Sequence, residues 1–171
     1  MRETDLEKPD KEYAAVCGLY CESCSWFIAT MEDPDRLKRL QAQSSFADEK
    51  TECYGCRSNR RIPYCTECKM FACAAERGID FCSQCEAYPC DTLKQFQSAM
   101  PHRIELWENL EHVKSAGYEN WLKEIRKHYT CPQCGTINSA YDIKCRNCGA
   151  EPSCSYVAKH KQEIKRYLEH Q

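Results

Sequence analysis

Apolar positions fall into helical stripes in the second half of the chain and are sparse in the first. Ile104, Trp107, Leu110 and Val113 recur at helical spacing after Pro101, and Gly117 is placed where a left-handed residue commonly ends a helix. The next stripe, Tyr118, Trp121, Leu122, Ile125 and Tyr129, follows the i, i+3, i+4, i+7 pattern and sets Lys123, Glu124, Arg126 and Lys127 on the far side. Its aromatic residues read as packing residues, because amphipathic stripes of this kind usually cover a core. A weaker pattern through Val157, Ile164 and Leu168 predicts a helical tail from Tyr156. Earlier in the chain, Asp33-Pro34 reads as an N-cap followed by a first-turn proline, with Leu37 and Leu40 on one face. After Cys90, Asp91 or Thr92 caps a segment with Leu93 and Phe96 at helical spacing.

What the first half lacks in aliphatic residues it has in sulfur. Of sixteen cysteines in 171 residues, eleven lie between Cys17 and Cys90, where Leu, Ile and Val are too few to build much of a core. Covalent or coordinate cross-links must take the place of that core. The lead from Met1 to Ala15 is charged throughout and has no apolar run resembling a signal peptide, so a cytoplasmic location is expected. Cysteines there stay reduced, and clustered pairs point to metal rather than disulfides. No apolar stretch is long enough to cross a bilayer, so no membrane partner is expected. The formal net charge of −2 gives the whole molecule no general attraction to phosphate backbones.

The strongest motif lies near the C-terminus. Cys131-Pro-Gln-Cys134-Gly135 and Cys145-Arg-Asn-Cys148-Gly149 are two CxxC-G knuckles with a ten-residue spacer, the ligand pattern of a zinc ribbon with short β-hairpins. Each CxxC turn puts two thiolates on one side of a tetrahedron. The glycine after each pair allows a positive φ that turns N–H groups toward the sulfurs. Paired redox motifs would need a thioredoxin-like βαβ setting, which is absent. One zinc ion with four protein ligands leaves no open position, so this site is structural.

The first block offers Cys17, Cys21 and Cys24, then Cys53 and Cys56, Cys65 and Cys68, Cys73, Cys82 and Cys85, and Cys90. Two tetrahedral sites would leave three sulfurs over. Three separate sites would need a twelfth donor, and with no histidine before His102 that donor would be His102, Asp80, Asp91 or Cys154, unless thiolates bridge. Two or three zinc ions are expected, with the pairing open. An iron–sulfur cluster is the alternative, because tetrahedral sulfur suits both metals; zinc is preferred since spaced CxxC pairs are its usual pattern. The spacing Cys17-x3-Cys21-x2-Cys24 also occurs in radical enzymes that cleave S-adenosylmethionine. The chain is too short for their barrel, and Ser23 stands where they typically carry an aromatic residue.

Taken together, CGLYCESC from Cys17, CYGC from Cys53, CTECKMFACAAERGI from Cys65 and CSQCEAYPC ending at Cys90 resemble an uncharacterised cysteine-rich family of bacteria and archaea, a domain of unknown function. The likeness extends through GYENWLKEIRKHYTCPQCG into the ribbon. The resemblance implies cysteine at all eleven positions of the first block and metal binding, mostly described as zinc, without an established activity.

The fold expected is a small metal-stabilised, α-rich protein with irregular loops: a cysteine-rich domain over 13–99, a helical connector over 100–128, a ribbon over 129–151 and a helical tail over 152–171. The function expected is a non-catalytic interaction or adaptor module with a protein partner; the alternative is an iron–sulfur redox or oxygen-sensing protein that uses the cysteines of the first block. Lys144, Arg146, Lys159, Lys161, Lys165 and Arg166 make the ribbon and tail locally basic, but Asp142, Glu151 and Glu163 dilute them, so nucleic acid is weakly supported as a partner. No HExxH, phosphate-binding glycine loop or histidine near the cysteine block suggests catalysis, and Cys154 reads as an ordinary cysteine.

Overall fold

The computed structural model describes residues 9–97 and 100–171; residues 1–8, in the charged lead, and 98–99 lie outside the described residues. The described elements are helical: α1 (Ser25–Glu32), α2 (Pro34–Gln43), α3 (Pro63–Thr66), α4 (Lys69–Arg77), α5 (Asp91–Gln97), α6 (Leu106–Ala116), α7 (Tyr118–Tyr129), α8 (Ser155–Lys159) and α9 (Lys161–Glu169). Short 3-10 turns at Lys11–Tyr13, Cys21–Ser23, Cys82–Gln84 and Pro101–Arg103 punctuate the loops. Among the described residues no helix is long and apolar enough to cross a membrane.

The local signals act largely as expected. The Asp33 carboxylate accepts the Arg36 N–H at 2.9 Å, with Pro34 opening α2. Helix α5 starts at Asp91 itself, and the Cys90 carbonyl accepts the Lys94 N–H at 3.0 Å. Helix α6 begins two residues later than its apolar stripe, because Pro101 first turns the chain through a 3-10 segment. Leu106, Leu110 and Val113 therefore form the buried face, while Ile104 and Trp107 are only half-buried. Gly117 departs from the αL expectation: with φ 83° and ψ 156° it combines a positive φ with an extended ψ, and so separates α6 from α7 directly.

Three apolar clusters organise the described residues. The largest is built on α7, whose Trp121, Leu122, Ile125 and Tyr129 are buried against Tyr156, Val157 and Ile164 of the tail and against Tyr20 and Phe81 of the cysteine-rich half. Each such side chain, fully buried, stabilises by about 1.5–3 kcal/mol, so this stripe contributes much of the apolar stabilisation of the C-terminal half. The Tyr129 and Tyr156 rings stack with centroids 4.6 Å apart. The tail pattern holds through Val157 and Ile164, but Leu168 is 41 % exposed. The second cluster gathers Val16, Met70, Leu93, Leu106 and Leu110 around Cys17, Cys56, Cys68 and Cys82; the third holds Trp26, Ile62, Cys53 and Cys65.

Long-range ion pairs join the two halves. Arg36 grips Asp142 at 2.6 Å, Arg126 reaches Glu22 at 2.9 Å, and Arg146 pairs with Glu32. The buried Glu105 carboxylate, at the start of α6, takes Lys159 and His160 at 2.7 Å each and His128 at 3.0 Å. Burial alone would raise its pKa, but the hydrogen bonds from His128, Lys159 and His160 prevail and hold it at about 2.

Gly18 has φ +83°, and a Cβ there would meet Leu110 Cγ at 2.9 Å. Gly18→Ala should therefore destabilise the protein by about 1–3 kcal/mol, and by less in a Leu110→Ala background; equal costs in the two backgrounds, measured by denaturant unfolding, would refute the contact. Replacing Glu105 with Gln strips a buried carboxylate from three partners and should cost about 3 kcal/mol at neutral pH. A depressed folded pKa stabilises above the unfolded value and loses that effect on acidification. The deficit should thus be full above about pH 4.5 and shrink as pH falls toward about 2; a pH-independent difference in unfolding free energy would contradict this.

Candidate metal centre

Helix α7 delivers the chain into the first knuckle. Tyr129 is pinned in the core, an isolated bridge pairs Thr130 with Ile137, and the chain then closes on itself. In the first knuckle the Cys131 N–H donates to the Thr136 carbonyl at 2.8 Å and Gly135 N–H to the Cys131 carbonyl at 2.9 Å. The second repeats this geometry, with Cys145 N–H to Ala150 at 2.8 Å and Gly149 N–H to Cys145 at 2.9 Å. Gly135 and Gly149 both have φ 76°. Their own N–H groups close the turns onto carbonyls, and the N–H groups of the residues that follow, Thr136 and Ala150, turn toward the sulfurs of Cys134 and Cys148 as the spacing suggested. Because each knuckle spends its backbone groups internally, the expected short β-hairpins are reduced in this segment to the isolated bridge between Thr130 and Ile137.

The two knuckles face each other. The donor atoms of Cys131, Cys134, Cys145 and Cys148 all lie within 4.8 Å of one another, with Cys131 and Cys148 at 3.7 Å and Cys134 and Cys145 at 3.6 Å. A tetrahedron with metal–sulfur bonds of about 2.3 Å has edges of about 3.8 Å. The four sulfurs therefore match the ligand shell of one tetrahedral ion, and none is tied up in a disulfide.

Hydrogen bonds prepare these sulfurs for negative charge. The Thr136 hydroxyl lies 3.3 Å from Cys134 Sγ and, with the Thr136 N–H, draws the Cys134 thiol down to about 5. Burial opposes ionisation of Cys145, but the Cys148 and Asn147 N–H groups and the Asn138 amide outweigh it. Cys148 has the Ala150 N–H in its favour, yet burial and the three neighbouring sulfurs push it up to about 11. Four like charges this close cannot coexist unaided, and a divalent cation at their centre removes the conflict.

Asn138 and Thr136 are the residues that sequence reasoning missed. Asn138 is fully buried; its Nδ2 donates to Cys145 Sγ at 3.6 Å and to the Thr136 carbonyl at 3.1 Å, while its Oδ1 accepts the Arg146 N–H at 3.0 Å. An Asn between two knuckles carries no special signal in a single sequence. Only its burial beside the sulfurs reveals its role.

The first block is arranged differently. Among the described residues no other set of three donor atoms lies within 4.8 Å, so its eleven sulfurs stand further apart than those of the ribbon. They nevertheless sort into neighbourhoods. Cys17, Cys56, Cys68 and Cys82 pack in one apolar cluster and Cys53 with Cys65 in another, so Cys53-x2-Cys56 and Cys65-x2-Cys68 each straddle two clusters. Burial and then Cys24 push the Cys53 thiol up to about 11, and burial followed by Cys90, Cys73, Cys68 and Cys85 pushes Cys82 to about 12. Backbone donors aim at several of these sulfurs: Cys56 N–H reaches Cys21 Sγ at 3.2 Å, and the N–H groups of Leu19, Gly55 and Val16 favour the charged forms of Cys17, Cys53 and Cys56. The candidate extra donors are engaged elsewhere. His102 bonds to the Tyr141 hydroxyl at 2.6 Å and burial lowers its pKa to about 4; Asp80 pairs with Lys11 and Arg57, Asp91 with Lys94, and Cys154 is buried in the α7 cluster.

Asn138→Ala should weaken metal retention about 10- to 100-fold in a chelator competition while leaving one ion bound at the ribbon in excess metal. An unchanged affinity would mean that the amide does not support the sulfur.

No curated protein and no solved structure matches the chain. Residues 13–95, which carry all eleven cysteines of the first block, match the model of a family described as "Protein of unknown function (DUF3795)".

Proposed function

We propose that the chain is a zinc-stapled, non-catalytic interaction protein in which metal sets the shape and the folded surface meets a protein partner. The observation that carries this reading is the closed tetrad of Cys131, Cys134, Cys145 and Cys148, whose four sulfurs use every position of a tetrahedral ion and leave none for substrate. Three of the six basic residues of the ribbon and tail are absorbed in ion pairs: Arg146 with Glu32, Lys159 with Glu105 and Lys161 with Glu151. That leaves the concentrated positive footprint of a nucleic-acid binder without support. An apolar face offers a better surface for a partner. Phe46 and Tyr64, 41 % and 53 % exposed, lie with ring centroids 6.4 Å apart, and Trp26 packs behind Phe46 at 5.9 Å.

Structural zinc contributes about 10–16 kcal/mol of apparent folding free energy in small domains, more than a fold of this size has to spare. Protein prepared without oxygen should be colourless and rich in zinc, and a strong chelator should abolish its near-UV circular dichroism. Native tertiary signal persisting after complete metal removal, or a brown protein that bleaches in air, would refute this reading. Phe46→Ser with Tyr64→Ser should keep the metal and the fold but lose the partner recovered reciprocally with the wild-type chain; retention of that partner would move the surface elsewhere.

A further inference from the structure

The segment 137–146, which runs from the first knuckle into the second, is locked to the sulfurs by Asn138 and Arg146. The Arg146 N–H donates to Asn138 Oδ1 at 3.0 Å, Arg146 Nε to the Ile137 carbonyl at 2.8 Å, and the Asn138 amide reaches Cys145 Sγ at 3.6 Å. Asp142 holds the turn in the middle of the segment. Its Oδ2 accepts the Ser139 N–H at 2.8 Å and the Ser139 hydroxyl at 2.9 Å. Asn138 and Ser139 are both buried, so these bonds face little competition from water.

Asp142 and Arg146 also carry ties to the other end of the chain. Arg36 of α2 places two guanidinium nitrogens on the Asp142 carboxylate, Nη2 on Oδ1 at 2.6 Å and Nη1 on Oδ2 at 3.3 Å, across 106 positions of sequence. These two side chains are only 14 % and 13 % exposed, so solvent and salt screen the pair little. Arg36 is itself oriented, because its N–H and its Nε both face the Asp33 carboxylate that caps α2. Arg146, lying between Cys145 and Cys148, extends Nη2 to Glu32 at the end of α1. A two-pronged arginine–carboxylate pair fixes direction as well as distance. The arrangement of 137–146 that α1 and α2 grip is therefore the one in which the sulfurs of Cys131, Cys134, Cys145 and Cys148 lie within 4.8 Å of one another.

We propose that Arg36 and Glu32 are positioning residues of the ribbon's metal site: docking of α1 and α2 onto Asp142 and Arg146 tightens the hold of the four cysteines on a divalent cation, and the cation in turn tightens the docking. The proposal rests on the zinc reading of the tetrad given above. Without a cation four thiolates at this range repel one another, and the segment 137–146 gains by opening. The Arg36–Asp142 pair opposes that opening, because it holds the segment in its closed arrangement. Two events that favour the same arrangement of a shared segment are linked, and each strengthens the other by the same factor. The ribbon is then a site built from both ends of the chain, not a module that binds metal independently of the cysteine-rich half.

The test uses the full chain loaded with zinc and titrated with a chelator. Occupancy of the ribbon is read from alkylation of its exposed thiols, Cys134 and Cys148, located by peptide mass spectrometry, so that metal held elsewhere does not enter the signal. Arg36→Met should weaken zinc retention at the ribbon about 10-fold while far-UV circular dichroism stays that of the wild type. Asp142→Asn keeps an acceptor for Ser139 and should give the same loss, and the double variant should be no worse than either single one. In the reverse direction, Cys148→Ser should raise hydrogen exchange across α1 and α2, and should add nothing in the Arg36→Met background. Retention unchanged by both substitutions, losses that add in the double variant, or exchange unmoved by Cys148→Ser would each overturn the coupling and leave the metal site standing. Alkylation of Cys134 and Cys148 at the same rate with and without zinc would instead overturn the zinc reading itself. Where Arg36→Met loses its helical signal, Asp142→Asn decides between these outcomes.

Discussion

Thiolates repel one another, and a chain that gathers many of them at close range is stable only with cations between them. In this protein that constraint bears on four cysteines near the C-terminus, whose sulfurs come together. In the ribbon the four sulfurs approach to tetrahedral edge lengths, and the hydroxyl of Thr136, the amide of Asn138 and the surrounding backbone N–H groups point at them. Each of these donors favours negative charge on sulfur, so the polypeptide prepares an anionic shell that could hold a metal ion.

The apolar clusters fit around this framework. The α7 stripe does for the ribbon what a strand would do elsewhere: it anchors Tyr129 next to Cys131 and holds the tail helices against Tyr156 and Ile164. The same cluster takes Tyr20 and Phe81 from the cysteine-rich half, and the Arg36–Asp142 and Arg146–Glu32 pairs run between α1–α2 and the ribbon loop.

The buried Glu105 network is a second polar centre and works by a different principle. One carboxylate at the start of α6 draws in His128 from the end of α7 and Lys159 and His160 from the tail, so side chains 23 to 55 positions away in the chain meet on a single charge. Left without partners, that charge would be costly to bury; with three it fixes the tail in one position. Nothing in the spacing of Glu105 distinguishes it from Glu108, which is exposed on the next face.

The sequence by itself determined the helices with strong stripes and caps, α2, α5 and α7, and the pairing of two CxxC-G knuckles into one four-cysteine cluster, since helical periodicity and CxxC-G spacing are local and act within a few residues. Tertiary structure alone decided which polar residues support the sulfurs, where α6 begins, how far the hairpins shrink, and how the cysteines of the first block sort into neighbourhoods. Cys53 and Cys56 are three residues apart yet pack in different clusters, while Cys17 and Cys82 share one. Contacts between distant segments depend on how helices dock, and docking is settled by the summed packing of many side chains that no single spacing encodes.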